Sequence, residues 1–410
     1  MIGAALIDKY EGIAPKADTD LLRIFGDHFK GRKLINVNST RSGGGVAELL
    51  GRIVPLLKDF EIDARWETIE ADNRFFGITK KIHNALQGST ERFTHDMWDH
   101  YEEVNGKNAA SLDLEADVVF IHDPQPAPLI KAKKSGHWIW RCHIDMSSPL
   151  KTVSKRILGY VKKYDASVFS VSKFAPSLGL PEFVVLPSID PLSEKNRELP
   201  EGDISAIAVK FGIPRDRPVL VQVSRFDKFK DQVGVIKAYR LIKKYNDCLL
   251  VLAGSPASDD PEGEKVLNEV KEFAGRDEDI KILLLPPGSD IEINAIQRLA
   301  SIVFQKSLKE GFGLTVSEAM WKGKPVIGSA VGGIPSQIIH GVNGFLVYSI
   351  EGAAFRARQM LNNAPLLAEM GKNAREHVRK NFLITRQIRD YLAIWMALEN
   401  RGKPEIQLAL

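Results

Sequence analysis

Short apolar runs alternate with longer amphipathic stretches along this chain, and the series starts over once, after a polar segment that carries two prolines. Strand-like runs at 33–37, 62–69, 118–122, 138–143 and 167–171 are separated by helical stretches such as 75–86. After Pro187-Ser-Ile-Asp-Pro-Leu-Ser-Glu-Lys-Asn, runs at 218–223, 248–253 and 280–285 begin a second series. Strands joined by helices need crossover connections, so the pattern predicts α/β halves, each a parallel sheet with helices on both faces. The polar segment reads as a hinge between them. With 410 residues, 44% of them hydrophobic, both halves can bury a real core. Residues 1–30 read as a polar, helical lead-in, and 366–382 and 384–399 as amphipathic closing helices.

Composition excludes several functions. A net charge of +4 comes from charges spread along the whole chain, so neither nucleic acid nor a membrane surface is an expected partner. No apolar run approaches the ~20 residues of a membrane span, and the N-terminus lacks a signal-type apolar region. Cys142 and Cys248 sit far apart in apolar runs and read as buried, reduced thiols, so the expectation is a cytoplasmic protein. No His/Cys cluster has zinc spacing. Asp277-Glu-Asp279 formally matches a D-x-D metal pattern, but it lies in a charged turn ahead of a strand.

In parallel sheets ligands gather at the carboxyl ends of strands, which directs attention to the polar residues found there. The first strand runs into Asn38-Ser-Thr-Arg-Ser-Gly43-Gly44-Gly45, glycines without dinucleotide or P-loop spacing that also suit a plain tight turn. His122, Asp123 and Gln125 end one apolar run, and Arg141, His143 and Asp145 end the next. A strand-end histidine is as readily a structural hydrogen bonder as a ligand. Arg225 and Lys230, five apart in a strand-to-helix loop, can converge on one polyanion or stand as solvated charges. Finally, Glu310-Gly-Phe-Gly-Leu-Thr-Val-Ser-Glu318 reads as a loop turning into a helix. Thr315 is a candidate N-cap with Glu318 three residues on, and the amides of Gly313, Leu314 and Thr315 would face outward as an anion site. The same residues could be no more than a capping box beside a loop carboxylate.

Two glutamates separated by seven residues around Gly-Phe-Gly-Leu, followed by Gly323-Lys-Pro-Val, resemble the signature of retaining glycosyltransferases of family 4, the GT-B fold. That resemblance implies two Rossmann-like parallel-sheet domains facing a deep cleft. Residues 1–187 would bind the acceptor and 188–382 the nucleotide-sugar donor, with 383–410 a helix crossing back to the first domain. Glu310 would hold the transferred sugar, Glu318 the ribose, and Arg225 with Lys230 the diphosphate. Gly44 and Gly45 would approach the donor phosphate or the acceptor from the other wall, and His143 the donor sugar. Asn38, His122, Asp123, Gln125, Arg141 and Asp145 would line the acceptor side. The loop after Gly254 would form the cleft rim. Where many members carry Glu after the Gly-Gly-x-Pro run, this chain has Ser336-Gln337.

More specific runs, among them Asn36-Val-Asn-Ser-Thr, His83-Asn-Ala-Leu-Gln-Gly, His122-Asp-Pro-Gln-Pro-Ala and Trp140-Arg-Cys-His-Ile-Asp, resemble the trehalose glycosyltransferring branch of that family. This implies glucosyl transfer from UDP- or ADP-glucose to glucose, giving α,α-trehalose and nucleoside diphosphate reversibly. No cofactor is required by the chemistry, Mg2+ accompanying the diphosphate at most, and a homodimer is admitted. With no evident carboxylate nucleophile, retention suggests front-side, ion-pair-like displacement driven by charge stabilisation. Three rival readings stay open: a trehalose phosphorylase, a hydrolase using Glu310 and Glu318 as its carboxylate pair, and a non-catalytic sugar-nucleotide sensor.

Overall fold

A computed structural model describes residues 6–42, 44–254 and 261–402; Gly43 and most of the expected rim loop, 255–260, lie outside them. The chain divides into two compact units, one running to Ser188 and resuming at Ile384, the other Ile189–Leu383.

The first unit holds six strands: β1 (Lys33–Asn38), β2 (Asp63–Thr68), β3 (Val118–His122), β4 (His137–Cys142), β5 (Ala166–Phe169) and β6 (Glu182–Val184). They pair in parallel in the order β2-β1-β3-β4-β5-β6. The inner strands are buried along their length because helices cover both faces, which is why they read as unbroken apolar runs. The second unit repeats the plan with β7 (Val219–Val223), β8 (Leu249–Gly254), β9 (Ile280–Leu284), β10 (Ile302–Gln305), β11 (Val326–Ser329) and β12 (Gly344–Val347). Its order, β12-β11-β10-β7-β8-β9, is the doubly wound 3-2-1-4-5-6 arrangement.

These orders fix where a ligand can enter. Chain direction around the sheet reverses between β1 and β3 in the first unit and between β7 and β10 in the second, so the loops leaving those strands part and open a crevice.

Several elements escape the apolar pattern. The helix His95–Ser111 turns Asn105 and Asn108 inward beside Trp98, Tyr101 and Val104. The amide of Asn108 bonds the Glu70 and Val104 carbonyls at 2.8 Å, so a buried, hydrogen-bonded amide interrupts the apolar spacing. Strands β10 to β12 are only four residues each, too short for a period to register.

The segment read as a hinge is not a loose linker. The unit boundary falls at Ser188/Ile189, but Asp190, Ser193 and Asn196 beyond it are buried. Asn294 Nδ2 donates to the Glu194 and Arg197 carbonyls, and Trp321 Nε1 to that of Asn196, strapping the segment to the second unit. Among the described residues, no helix is long and apolar enough to cross a membrane.

The closing helix Ile384–Glu399 packs within the first unit. Its Trp395, fully buried, stacks on Phe29 with ring centroids 4.0 Å apart and planes at 16°, and Arg32 lies over the indole. Replacing Trp395 with alanine removes a large core aromatic that surrounding helices cannot collapse around. Urea unfolding is expected to show a loss of about 3–5 kcal/mol; a loss below about 1 kcal/mol would mean that the helix is peripheral to this core.

Candidate active site

In the second unit, the loops after β7 and β10 are built on buried glutamines. Gln222, at the end of β7, donates to the Lys230 carbonyl at 2.9 Å, and Gln232 donates to the Arg225 carbonyl at 2.8 Å, so both ends of the 225–230 loop are tied down. The two loops are joined where Leu308 N donates to the Phe229 carbonyl at 2.7 Å. Gln305, ending β10, sends one amide hydrogen to Glu310 at 3.0 Å while its oxygen accepts the Thr315 hydroxyl at 3.0 Å.

Glu310 is the centre of this arrangement. Its Oε2 receives three donors: Lys230 Nζ at 2.7 Å, Gln305 Nε2 at 3.0 Å and Ser307 Oγ at 3.0 Å. Its Oε1 has no partner among the described residues. One oxygen is therefore fixed and the other is available. Gly332 makes this packing possible: a Cβ there would lie 1.6 Å from the Glu310 carbonyl oxygen.

The helix that follows, Leu314–Trp321, corrects the expected cap. Gly313, left-handed at φ 82°, is the N-cap, and Thr315 is already inside the first turn with its hydroxyl turned to Gln305. The capping box therefore does not form; glycine takes the cap because the tight reversal demands positive φ. Val316 N donates back to Gly313 O, which leaves the amides of Leu314 and Thr315 without acceptors among the described residues. Such amides at a helix start attract anions.

Gln337 explains the departure from the family pattern. It is fully buried; its amide donates to the Phe312 and Gly313 carbonyls at 2.6 and 3.3 Å, and its oxygen accepts Ser317 Oγ. A glutamate would set carboxylate oxygens against two carbonyls, so the amide is what this packing needs.

Arg225, Glu318 and the D-x-D match have defined surroundings in the structure. Arg225 and Lys230 make different contacts: Lys230 pairs with Glu310, whereas the Arg225 side chain is 67% exposed with Asp227 at 4.0 Å. Glu318 is buried against Gln297 Nε2 at 3.4 Å and Lys195 Nζ at 4.0 Å. Asp279 of the D-x-D match pairs with Arg217 and Lys243, which hold its carboxyl down at about 2. Among the described residues no three His, Cys, Asp or Glu side chains form a group able to hold a metal ion. Lys195 and Gln305 escaped sequence reading; a strand-end glutamine two residues before a loop serine was the available signal.

In the first unit the crevice between β1 and β3 carries a pair of histidines. His122 Nδ1 lies 3.1 Å from His143 Nε2, and His122 Nε2 lies 3.0 Å from Asn36 Oδ1. With the Asn36 oxygen facing His122, the hydrogen sits on Nε2, Nδ1 accepts from His143, and His143 Nδ1 keeps a lone pair. Burial pushes His122 down to about 3 and His143 well below its usual range, and the charge of Arg141 adds to both. Asp123 takes left-handed backbone at φ 66°, and its Oδ1 accepts His143 N–H at 2.7 Å. Burial raises its carboxyl to about 7.

Arg141, expected to meet acceptor hydroxyls, is instead fully buried, donating to Val185 O at 2.8 Å and Ser170 Oγ at 3.3 Å. Asn38 is likewise committed to protein, accepting Trp66 Nε1 at 2.7 Å and donating to Thr40 O at 2.8 Å. Gln125 presents its backbone oxygen to Asn105, and Asp145 accepts Ser147 N at 2.9 Å. Gly44, at φ 80°, caps the helix Gly45–Asp59.

Residues 36–176 match the family described as trehalose synthase, N-terminal domain, and 203–377 match glycosyl transferases group 1. Trehalose synthase of Thermococcus litoralis is 45% identical over 94% of this chain and 95% of its own length. That of Rubrobacter xylanophilus is 42% identical over 92% and 93%. Among solved structures, trehalose-6-phosphate from E. coli bound with UDP-2-fluoro glucose superposes with TM-score 0.73 at 14% identity, covering 88% of this chain and 98% of that one, a likeness of fold. The chain belongs to the trehalose synthase family, glycosyltransferases of trehalose metabolism built on the GT-B fold.

Proposed function

We propose that this enzyme moves glucose from a nucleotide-glucose, UDP- or ADP-glucose, to free glucose with retention, releasing α,α-trehalose and nucleoside diphosphate reversibly. The observation that carries this is Glu310, with Oε2 held by three donors and Oε1 open, set beside a lysine and the start of a helix. A carboxylate so placed accepts sugar hydroxyls, while Lys230 and the amides of Leu314 and Thr315 offset charge growing on a departing diphosphate. Arg225, exposed on the same loop, adds a second cation once an anion draws it in. Glu318 serves the ribose. The acceptor hydroxyl attacks on the face the diphosphate leaves, its proton passing to a diphosphate oxygen.

In the first unit His143, whose backbone N–H is held by Asp123, offers its Nδ1 lone pair to the donor sugar. His122, Asp123, Gln125 and Asp145 line the acceptor side. Any Mg2+ would be carried by the diphosphate oxygens; among the described residues no three His, Cys, Asp or Glu side chains form a group that could hold it.

Incubation with UDP-, ADP- or GDP-glucose plus glucose should release nucleotide and form trehalose in equal amounts. Cleavage of trehalose that requires phosphate and no nucleotide would replace this reading with a phosphorylase. Within the proposed reaction, Lys230→Met is expected to lower kcat by about 10²-fold or more, the scale seen when one preorganised charge donor is lost. An unchanged kcat would remove Lys230 from the mechanism.

Asp123 makes a separate, thermodynamic prediction. Its folded carboxyl, at about 7, keeps a proton that the unfolded chain gives up near 3.8, so its contribution erodes stability as pH rises between those values and levels off above. Asp123→Asn keeps the left-handed backbone and the bond to His143 N–H while removing the charge. The variant should match the wild type near pH 4 and exceed it by roughly 2–4 kcal/mol above pH 7 in urea unfolding. Equal stability at both ends would refute a half-buried carboxyl with a raised pKa.

A further inference from the structure

Lys230 and Asp231 are neighbours in the loop after β7, and each pairs with a residue of the loop after β10, with opposite polarity. Lys230 Nζ meets Glu310 Oε2 at 2.7 Å, and Asp231 Oδ2 accepts from Lys306 Nζ. The proposed reaction uses the first pair and has no task for the second. Yet the second is the more elaborately built. Lys306 is a buried lysine, and its partner Asp231 sits in left-handed backbone at φ 49°, a conformation open to Asp among the non-glycine residues and held here by its contacts. The same aspartate caps the helix Gln232–Lys243 through Gly234 N at 3.1 Å. Gly234 must lack a side chain for this, since a Cβ there would lie 2.2 Å from Asp231 Oδ2.

We propose that Lys306 is a positioning residue for Lys230, acting through Asp231. A donor drawing Lys230 toward its diphosphate and Glu310 toward its sugar must loosen the ion pair between them. The Lys306–Asp231 pair touches neither ligand, so it remains to hold the two loops at the spacing the donor requires. Without it, Asp231 is free to leave the left-handed region, the first turn of the helix loses its cap, and the residue directly before it, Lys230, shifts with the backbone. Displacement of a charged group by about 1 Å costs on the order of 10²-fold in rate.

This inference rests on the role given to Lys230 above, and the experiment separates the two. Steady-state kinetics of the full chain, with donor varied at saturating glucose and the reverse, are measured for Lys306→Met, Asp231→Asn, their double variant, Lys306→Arg and Lys230→Met, each checked for folding by circular dichroism. Lys306→Met should lose about 10²-fold in kcat/KM for the nucleotide-glucose while the KM for glucose stays within about twofold. Asp231→Asn should reproduce the loss, and the double variant should fall no further than the worse single one, since both remove one contact. Lys306→Arg, which keeps the charge, should recover to within about tenfold of the wild type. Folded Lys306→Met with wild-type donor kinetics beside an impaired Lys230→Met would overturn the inference alone, and so would multiplying losses in the double variant. Wild-type kinetics in Lys230→Met would overturn the reading beneath it.

Discussion

The second unit's crevice depends on one carboxylate oxygen. Glu310 Oε2 gathers a lysine from the loop after β7 and an amide and a hydroxyl from the end of β10 and the loop after it. Three charge-assisted bonds to a single oxygen set the rotamer of the glutamate and, through it, the position of each donor. The glycines serve the same point from the other side. Only with no Cβ at Gly332 can the following loop lie against the Glu310 carbonyl, and only a left-handed Gly313 lets the chain turn into its helix within three residues. A side chain that reaches its ligand already oriented loses little freedom on binding, which is what charge stabilisation of a leaving group demands.

Much of the architecture could be read from the residues because parallel sheets leave a strong trace. Strands buried on both faces are unbroken apolar runs, and β1, β3, β4, β7 and β8 all announced themselves that way. The strand ends followed, since polar residues stopping such runs must face the crevice. What stayed hidden was where each polar side chain points. Arg141 and Asn38 occupy strand ends like their neighbours, yet one turns inward to Val185 O and the other to Trp66. Spacing in sequence does not encode that choice; it is made by contacts from segments far along the chain. Thr315 failed as a cap for a similar reason: the Gly before Leu314 makes a left-handed cap available, and tertiary packing on Gln305 used the hydroxyl elsewhere.

The surroundings of Glu318 show a different economy. Lys322 Nζ reaches Asn196 Oδ1 at 3.0 Å and the Glu318 carbonyl at 3.1 Å, and burial pushes its ammonium down to about 7. Lys195 approaches the Glu318 carboxylate from the strap. A buried carboxylate is stable only with positive charge or donors near it. The segment 189–196 is thus a structural support of the buried Glu318 and Lys322 rather than a passive connection.

The two strand-end clusters are electrically unlike, and the proposed chemistry accounts for the contrast. Around Glu310 the groups are full charges: Lys230 paired to the carboxylate, Lys306 paired to Asp231. Around His122 burial disfavours charge, on both imidazoles, where the Arg141 guanidinium adds to it, and on Asp123, whose carboxyl it raises to about 7. A diphosphate leaving with its bonding electrons needs fixed cations. A neutral sugar hydroxyl needs directed lone pairs and hydrogens, and a stray charge beside it would favour water and ions over sugar. Arg141, fully buried beside this cluster, adds to what burial does to the two imidazoles and works against it at Asp123.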